Sequence, residues 1–267
     1  MTKIGFIGSG NMGSALARAV SRVSDTDVYV YDKDTERAVA LADEIGASSS
    51  SLEEIAKKCD FIFIGVKPNI VSLVCEELDE ALGDRADAVI VSMAAGVELF
   101  SLSRYLETEI KRNIIRIMPN TPVSIGRGMI EWCTSEGFPP DRESEFERIM
   151  SETGRLDKIP EKLIDAASAV AGCGPAFVFM CIEAIADGGV KCGLPRDKAL
   201  MYAAETLRGA AELALGSNKH PEELKDAVCS PGGSTIAGVA ALERGAFRSS
   251  MINAVEAAYK RTLELGK

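Results

Sequence analysis

The sequence predicts an α/β protein: a doubly wound, largely parallel sheet built by residues 1–160, followed by an all-helical segment over 161–267. Three observations predict it. Short apolar runs of strand length alternate with helix-like stretches as far as Ile117, and a glycine-rich turn joins the first strand to the first helix. Beyond Pro160 no strand-like alternation remains, and alanine- and leucine-rich helical stretches take over.

Lys3 to Ile7 reads as the first strand. Gly8-Ser9-Gly10-Asn11-Met12-Gly13 follows it and opens a helix through Ala15 to Val20, which is G-x-G-x-x-G in the strand–turn–helix setting it requires. Gly8 permits the tight turn, Gly10 lets a pyrophosphate approach the backbone, Gly13 allows close helix–strand packing, and the helix N-terminus offers unpaired N–H groups to the anion. A second strand, Asp27 to Tyr31, ends at Asp32, about 20 residues beyond the glycines, where an acid would recognise a ribose hydroxyl. Together these features point to a dinucleotide site. The choice between NADH and NADPH stays open. The Asp32 carboxylate favours a free hydroxyl and repels a 2′-phosphate, whereas Lys33 and Arg37 could pair with that phosphate; by itself Asp32 is also an ordinary turn acid.

Asp60 to Val66 is nearly continuous in apolar character, as in a strand buried on both faces, and it ends in Lys67-Pro68. Ala88 to Val91 and Ile114 to Ile117 lead into Ala94-Ala95-Gly96 and Pro119-Asn120-Thr121-Pro122. In a doubly wound sheet ligands sit outside the carboxyl ends of the strands, so these loops are expected to face the crevice of the glycine turn. Each by itself could be a simple connection.

In the helical segment, Glu161 to Cys181 carries Gly172-Cys173-Gly174-Pro175, which is expected to break or kink the helix. Arg196 to Leu215 and Arg248 to Leu265 are further helices, the last with Met251, Val255, Ala258 and Tyr259 on one stripe. Small residues at so many helical positions suit packing against a second copy, so a homodimer at least is expected. Cys229 to Gly238 is a small-residue loop entering a helix. Backbone N–H groups at Gly233, Ser234 and Thr235, with two hydroxyls, suit a carboxylate, although an N-cap with flexible glycines has the same look.

Composition narrows the chemistry. The chain has 267 residues, 46% hydrophobic and 26% charged, spread along its length as in a globular protein. A net charge of −10 argues against nucleic acid, whose binding relies on basic residues. Apolar runs such as Phe61 to Val66 fall far short of the roughly 20 residues that span a bilayer, and Met1 to Gly8 reads as a strand rather than a signal peptide; no membrane partner and a cytoplasmic location are expected. The seven cysteines form no C-x-x-C pair, so small core roles are expected and no metal site. The single histidine, His220, precedes Pro221 where a helix should begin and is expected to cap it or face solvent. Histidine-based triads therefore have no second candidate.

Five motifs in one order resemble pyrroline-5-carboxylate reductase from end to end: Val66-Lys67-Pro68; Arg116 to Pro122; Gly172 to Phe177; Ala186 to Pro195; and Ser230 to Gly238 running on to Leu242 to Arg248. The resemblance implies a Rossmann-type N-terminal domain, a helical C-terminal dimerisation domain, assembly as a dimer or higher oligomer, and reduction of 1-pyrroline-5-carboxylate to L-proline with NADPH or NADH. Carried onto this chain, it implies that Gly8, Gly10, Asn11 and Met12 hold the pyrophosphate and that Val66, Lys67 and Pro68 lie beside the cofactor. Ala95, Gly96 and Asn120 then approach the nicotinamide side, the active site lying where the cofactor of one subunit meets the helical domain. Ser230, Gly232, Gly233, Ser234 and Thr235 hold the substrate, with Thr235 donating a hydrogen bond to the developing amine. Two positions depart from the family pattern. Asp32 stands where many relatives have Ser or Thr, and Ser51 lies near where relatives often carry an Asn that touches the adenosine ribose. Two other readings share the sequence features: a β-hydroxyacid dehydrogenase, which would use a lysine such as Lys191 and turn over a hydroxyacid, and a non-enzymatic dinucleotide sensor, which would lack a second ligand pocket.

Overall fold

A computed structural model describes residues 1–106 and 110–265. The chain divides into two compact units, one comprising Met1–Cys173 with the chain from Ala258 onward, the other Gly174–Ala257. The sequence boundary at 160/161 marks where strands give out. The compact division comes later, after the helical entry.

The first unit runs β1 (Thr2–Ile7), α1 (Asn11–Val20), β2 (Thr26–Tyr31), α2 (Thr35–Ile45), β3 (Ser48–Ser49), α3 (Leu52–Lys58), β4 (Phe61–Ile64), α4 (Val71–Leu82), β5 (Val89–Ser92), α5 (Leu99–Tyr105), β6 (Asn113–Pro119), β7 (Gly128–Thr134), α6 (Pro140–Ile149), β8 (Gly154–Lys158) and α7 (Ile164–Ala167). These strands form one eight-stranded sheet in the order β3-β2-β1-β4-β5-β6-β7-β8. Every neighbouring pair is parallel except β6 and β7.

The five expected strands are β1, β2, β4, β5 and β6, each within a few residues of its predicted bounds. The central ones are buried on both faces, as continuous apolar runs require. Phe6, Phe61, Phe63, Val89 and Val91 join Trp132, Phe146 and α1 on one side, while Ile7, Ile62, Ile64 and Ile90 pack with α3 and α4 on the other. The Phe6 and Phe63 rings stack at 4.7 Å across adjacent strands. Three strands lie outside the sequence expectation. β3 is a two-residue pairing at one edge; β7 and β8 extend the other. β7 is buried from Ile130 to Cys133 and so shows no alternation, and β8 is a polar edge strand.

The helical entry also differs from a simple kink. From Glu161 the chain passes through a single 3₁₀ turn, α7, and a π-helical turn over Ser168–Gly172, whose signature is the Cys173 amide donating to the Ser168 carbonyl at 3.0 Å. It then continues as α8 (Gly174–Lys191). Pro175 is the second residue of α8, where a missing donor is tolerated, so the helix runs ten residues past the expected Cys181 end. The whole stretch Glu161–Lys191 is long and apolar enough to cross a membrane by length and composition, unlike any run judged from the sequence.

The second unit comprises α8, α9 (Arg196–Gly216), α10 (Pro221–Ala227), α11 (Ser234–Arg244) and the start of α12 (Phe247–Leu265). α8 and α9 form a hairpin around Ala186, Ala199 and Ala203, with Ile182 and Val190 packed against them. Gly189 makes the close approach possible: a Cβ there would sit 3.2 Å from the Cβ of Ala199. His220 caps α10, its Nδ1 accepting the Glu222 amide at 3.2 Å. Large apolar side chains stay on the outside, Phe179, Met180, Leu213, Leu215 and Ile252 each at least 59% exposed. That pattern marks an association surface.

Candidate active site

The glycine turn is built as the sequence predicts. Gly8 has φ +101°, a conformation favouring glycine, and its amide donates to the Tyr31 carbonyl at 2.7 Å. A side chain at Gly13 would run into the Gly8 carbonyl oxygen, so the helix can approach the strand this closely only with glycine there. Gly65, at the end of β4, packs on the same turn: its own Cβ would lie 2.9 Å from the Gly8 oxygen. Gly10 is different. No atom lies within 4 Å of where its Cβ would be, and as the N-cap of α1 it supplies no side chain to the first amides of the helix. The first N–H groups of a helix have no partner inside it. An open cradle with free amides at a helix N-terminus fits a dinucleotide pyrophosphate.

Asp32 closes the other side of this turn. Its Oδ2 accepts from the Ser9 amide at 2.7 Å and the Ser9 hydroxyl at 2.9 Å, and its Oδ1 accepts from the Asp34 amide at 3.0 Å. Burial pushes the carboxyl up, but these bonds and the nearby Arg37 outweigh it and hold the pKa below the ordinary value. Asp32 is therefore a fixed negative charge at the glycine turn. Ser9, which sequence reasoning passed over as a variable position within the motif, is what fastens the two together.

β1, β4, β5 and β6 run parallel side by side, so their carboxyl ends share one edge of the sheet. Val66 is half-buried there, Lys67 and Pro68 are exposed, and Ala95 and Gly96 are half-buried in the turn after β5, where Gly96 has φ +75°. Asn11 and Met12 lie in the first turn of α1. Asn120 ends this row but is turned inward. It is 8% exposed, its Nδ2 donates to the Ala171 carbonyl at 3.0 Å, and its Oδ1 accepts from the Met129 amide at 2.9 Å. Ser51 caps α3, its hydroxyl accepting the Glu54 amide at 3.2 Å.

In the second unit, Ser230 to Gly233 forms a tight turn in which Gly232 has φ +71° and the Gly233 amide donates to the Ser230 carbonyl at 3.0 Å. The Gly233 amide is thus committed, contrary to the expectation that it joins the carboxylate cradle. Gly233 is the N-cap of α11 and provides no side-chain cap, and Ser234 and Thr235 are exposed in the first turn. The amides available to an anion begin at Ser234.

The buried thiols of Cys59, Cys75 and Cys133 are each pushed up to about 12, mainly by burial, and are inert at neutral pH. Among the described residues no group of His, Cys, Asp and Glu is arranged to hold a metal ion. A concavity of about 720 Å³ lined by Leu99, Phe100, Cys133, Lys158 and Glu161 includes none of the expected site residues.

Residues 161–265 match a family model for pyrroline-5-carboxylate reductase dimerisation, and residues 3–96 match one for NADP oxidoreductase coenzyme F420-dependent. The chain is 38% identical to a pyrroline-5-carboxylate reductase of Arabidopsis thaliana over 99% of its own length and 96% of the relative's. It is 39% identical to that of Escherichia coli over 99% and 98%. Among solved structures, the Plasmodium falciparum pyrroline carboxylate reductase with NADP bound superposes with a TM-score of 0.87 at 32% identity, covering 100% of this chain and 98% of that one. A 3-hydroxyisobutyrate dehydrogenase of Mycobacterium tuberculosis, at 15% identity and a TM-score of 0.54 over 73% of this chain and 67% of that one, shares the fold alone.

Proposed function

The chain belongs to the pyrroline-5-carboxylate reductase family, and from that premise we propose how its own residues serve the reduction of 1-pyrroline-5-carboxylate to L-proline. The reaction is an NAD(P)H-dependent oxidoreduction, and full-length identity with reductases, rather than fold likeness, separates it from a hydroxyacid dehydrogenase. The bound nicotinamide supplies the hydride that reduces the imine carbon.

Gly8, Gly10, Asn11 and Met12 hold the pyrophosphate at the amino end of α1, an assignment supported by the open cradle at Gly10 and the uncapped helix. Val66, Lys67, Pro68, Ala95 and Gly96 line the cofactor edge of the sheet. Asp32 takes the adenosine ribose. Its charge, fixed by Ser9 and Asp34, accepts hydroxyl protons and repels a 2′-phosphate, so we assign a preference for NADH over NADPH. Residues 161–267 bind substrate and associate with a second copy, which covers the apolar faces of α8, α9 and α12.

Ser230 and Gly232 shape the turn, Gly233 fixes its closure, and the amides of Ser234 and Thr235 with the Ser234 hydroxyl take the substrate carboxylate, leaving the Thr235 hydroxyl free to donate elsewhere. The Thr235 hydroxyl donates to the nitrogen as it becomes an amine. No histidine is needed, because an imine can take its proton from water and the site then contributes position and electrostatics. The observation that carries this reading is the uncapped, exposed start of α11. The test compares cofactor oxidation by wild type and Thr235→Ala with pyrroline-5-carboxylate, using NADH and NADPH side by side. Thr235→Ala is expected to lower kcat by roughly 10- to 100-fold with the dinucleotide Kd unchanged. Undiminished turnover removes Thr235 from the chemistry.

A further inference from the structure

Pro175 has no N–H, so the Ala171 carbonyl, four residues earlier, loses the donor that a continuing α-helix would supply. The π-helical turn over Ser168–Gly172 falls at this point. A carbonyl orphaned inside a fold must find another donor. It finds the Asn120 side chain, which arrives from the end of β6 at 3.0 Å.

Asn120 is committed in three directions. Its Nδ2 donates to Ala171, its Oδ1 accepts the Met129 amide at the start of β7 at 2.9 Å, and its own carbonyl accepts the Val123 amide at 3.2 Å, closing the turn over Thr121–Ile125. It is 8% exposed. The asparagine amide donates through Nδ2 and accepts through Oδ1, two separate atoms, without carrying charge. One residue thereby joins the turn after β6, the antiparallel strand β7 and the π-helical turn.

We propose that Asn120 is a positioning residue for hydride transfer. It does not touch the cofactor through its side chain; it fixes the Pro119–Thr121 backbone at the carboxyl edge of the sheet by stitching it to the carbonyl that Pro175 leaves unpartnered. The proposal rests on the reading that this edge carries the nicotinamide. Hydride transfer is sensitive to small displacements, so loosening the stitch lowers turnover more than it lowers cofactor affinity.

Asn120→Asp and Asn120→Leu test it. The aspartate has nearly the same shape and, when protonated, both donates and accepts; ionised, it sets a carboxylate oxygen against the Ala171 carbonyl. Burial disfavours the ionised form and moves its titration upward toward neutrality. Asn120→Leu is expected to lose roughly tenfold in kcat at every pH, with the dinucleotide Kd changed by less than about threefold. Asn120→Asp is expected to match the leucine variant near roughly pH 8 and to recover toward wild type, measured as a ratio at each pH, as the pH falls to about 5.5. Wild-type kcat in Asn120→Leu, or an Asp-to-Leu kcat ratio that is flat with pH, overturns the proposal. Hydrogen exchange over residues 128–130 and 168–173 reads the stitch in the apoprotein and should quicken in Asn120→Leu. Unchanged exchange there also overturns it. A wild-type chain that binds dinucleotide but does not reduce pyrroline-5-carboxylate would instead refute the reaction assignment, leaving the exchange result to stand by itself.

Discussion

Gly10 and Gly13 belong to one motif yet meet opposite surroundings, and replacing each by alanine separates binding from folding. Gly10 has φ −65° and ψ −177°, which alanine adopts freely, and empty space where the methyl would go. As an N-cap change it costs less than about 1 kcal/mol. At Gly13 the methyl overlaps the Gly8 carbonyl oxygen and lies 3.3 Å from its carbon, both backbone atoms that cannot step aside. Overpacking of this kind costs roughly 1–3 kcal/mol or more. For a chain of this size a kilocalorie moves the thermal midpoint by about 2–4 °C, so Gly13→Ala should melt roughly 2–12 °C lower and Gly10→Ala no more than about 4 °C lower. Dinucleotide affinity orders the variants differently. A methyl at Gly10 stands in the cradle and removes one or two charge-assisted hydrogen bonds, each about 1.5–3 kcal/mol, weakening binding by at least roughly tenfold. Apoprotein melting and a fluorescence titration with NADH measure the two effects. A Gly10→Ala protein that binds NADH within about twofold of wild type would refute the placement of the pyrophosphate.

Asp32→Ser removes the charge that we assign to the adenosine ribose; the ratio of NADPH to NADH dissociation constants should fall by roughly 10- to 100-fold, since a carboxylate and a doubly charged phosphate about 5 Å apart in water repel by about 1.7 kcal/mol and in less polar surroundings by more. An unchanged ratio would acquit Asp32 of cofactor choice. Glu131, buried in β7 with Oε2 lacking a partner, has its carboxyl raised by burial, so the folded protein holds the proton more tightly than the unfolded chain. Its penalty is absent below the ordinary glutamate range and develops as pH rises through the raised value; Glu131→Gln should therefore gain thermal stability over wild type with increasing pH, and a pH-independent difference would count against it.

How far the sequence discloses this protein follows from which signals are local. The glycine turn, β1, β2 and the apolar strands announce themselves because turn geometry and double burial leave marks within a few residues. β7 leaves none: Ile130, Trp132 and Cys133 fill both faces and Glu131 interrupts them, so neither a period of two nor a clean apolar run appears. β8 is a polar edge whose only credential is its neighbour. At the candidate site, the tight glycine turns and the uncapped helix starts were legible because glycine defines them. The commitments of individual groups were not. That Gly233 donates to Ser230, that Ser9 holds Asp32, and that Asn120 faces inward are long-range or geometric facts without a sequence pattern. The π-helical turn belongs with them; Gly172 to Pro175 foretold an irregularity but not its form.

The hairpin of α8 and α9 encloses little beyond three alanines, while phenylalanine, methionine and leucine side chains of the same helices remain outside. Three buried methyl groups cannot offset the ordering entropy of such a segment. A second copy covering those side chains would supply the missing burial, so for this half of the molecule folding and assembly are expected to be coupled. Dilution is then expected to destabilise it. A second copy would then act as a stabilising ligand, and the dissociation constant of the assembly is expected to determine the concentration below which the helical half, with the proposed substrate loop, loses its order.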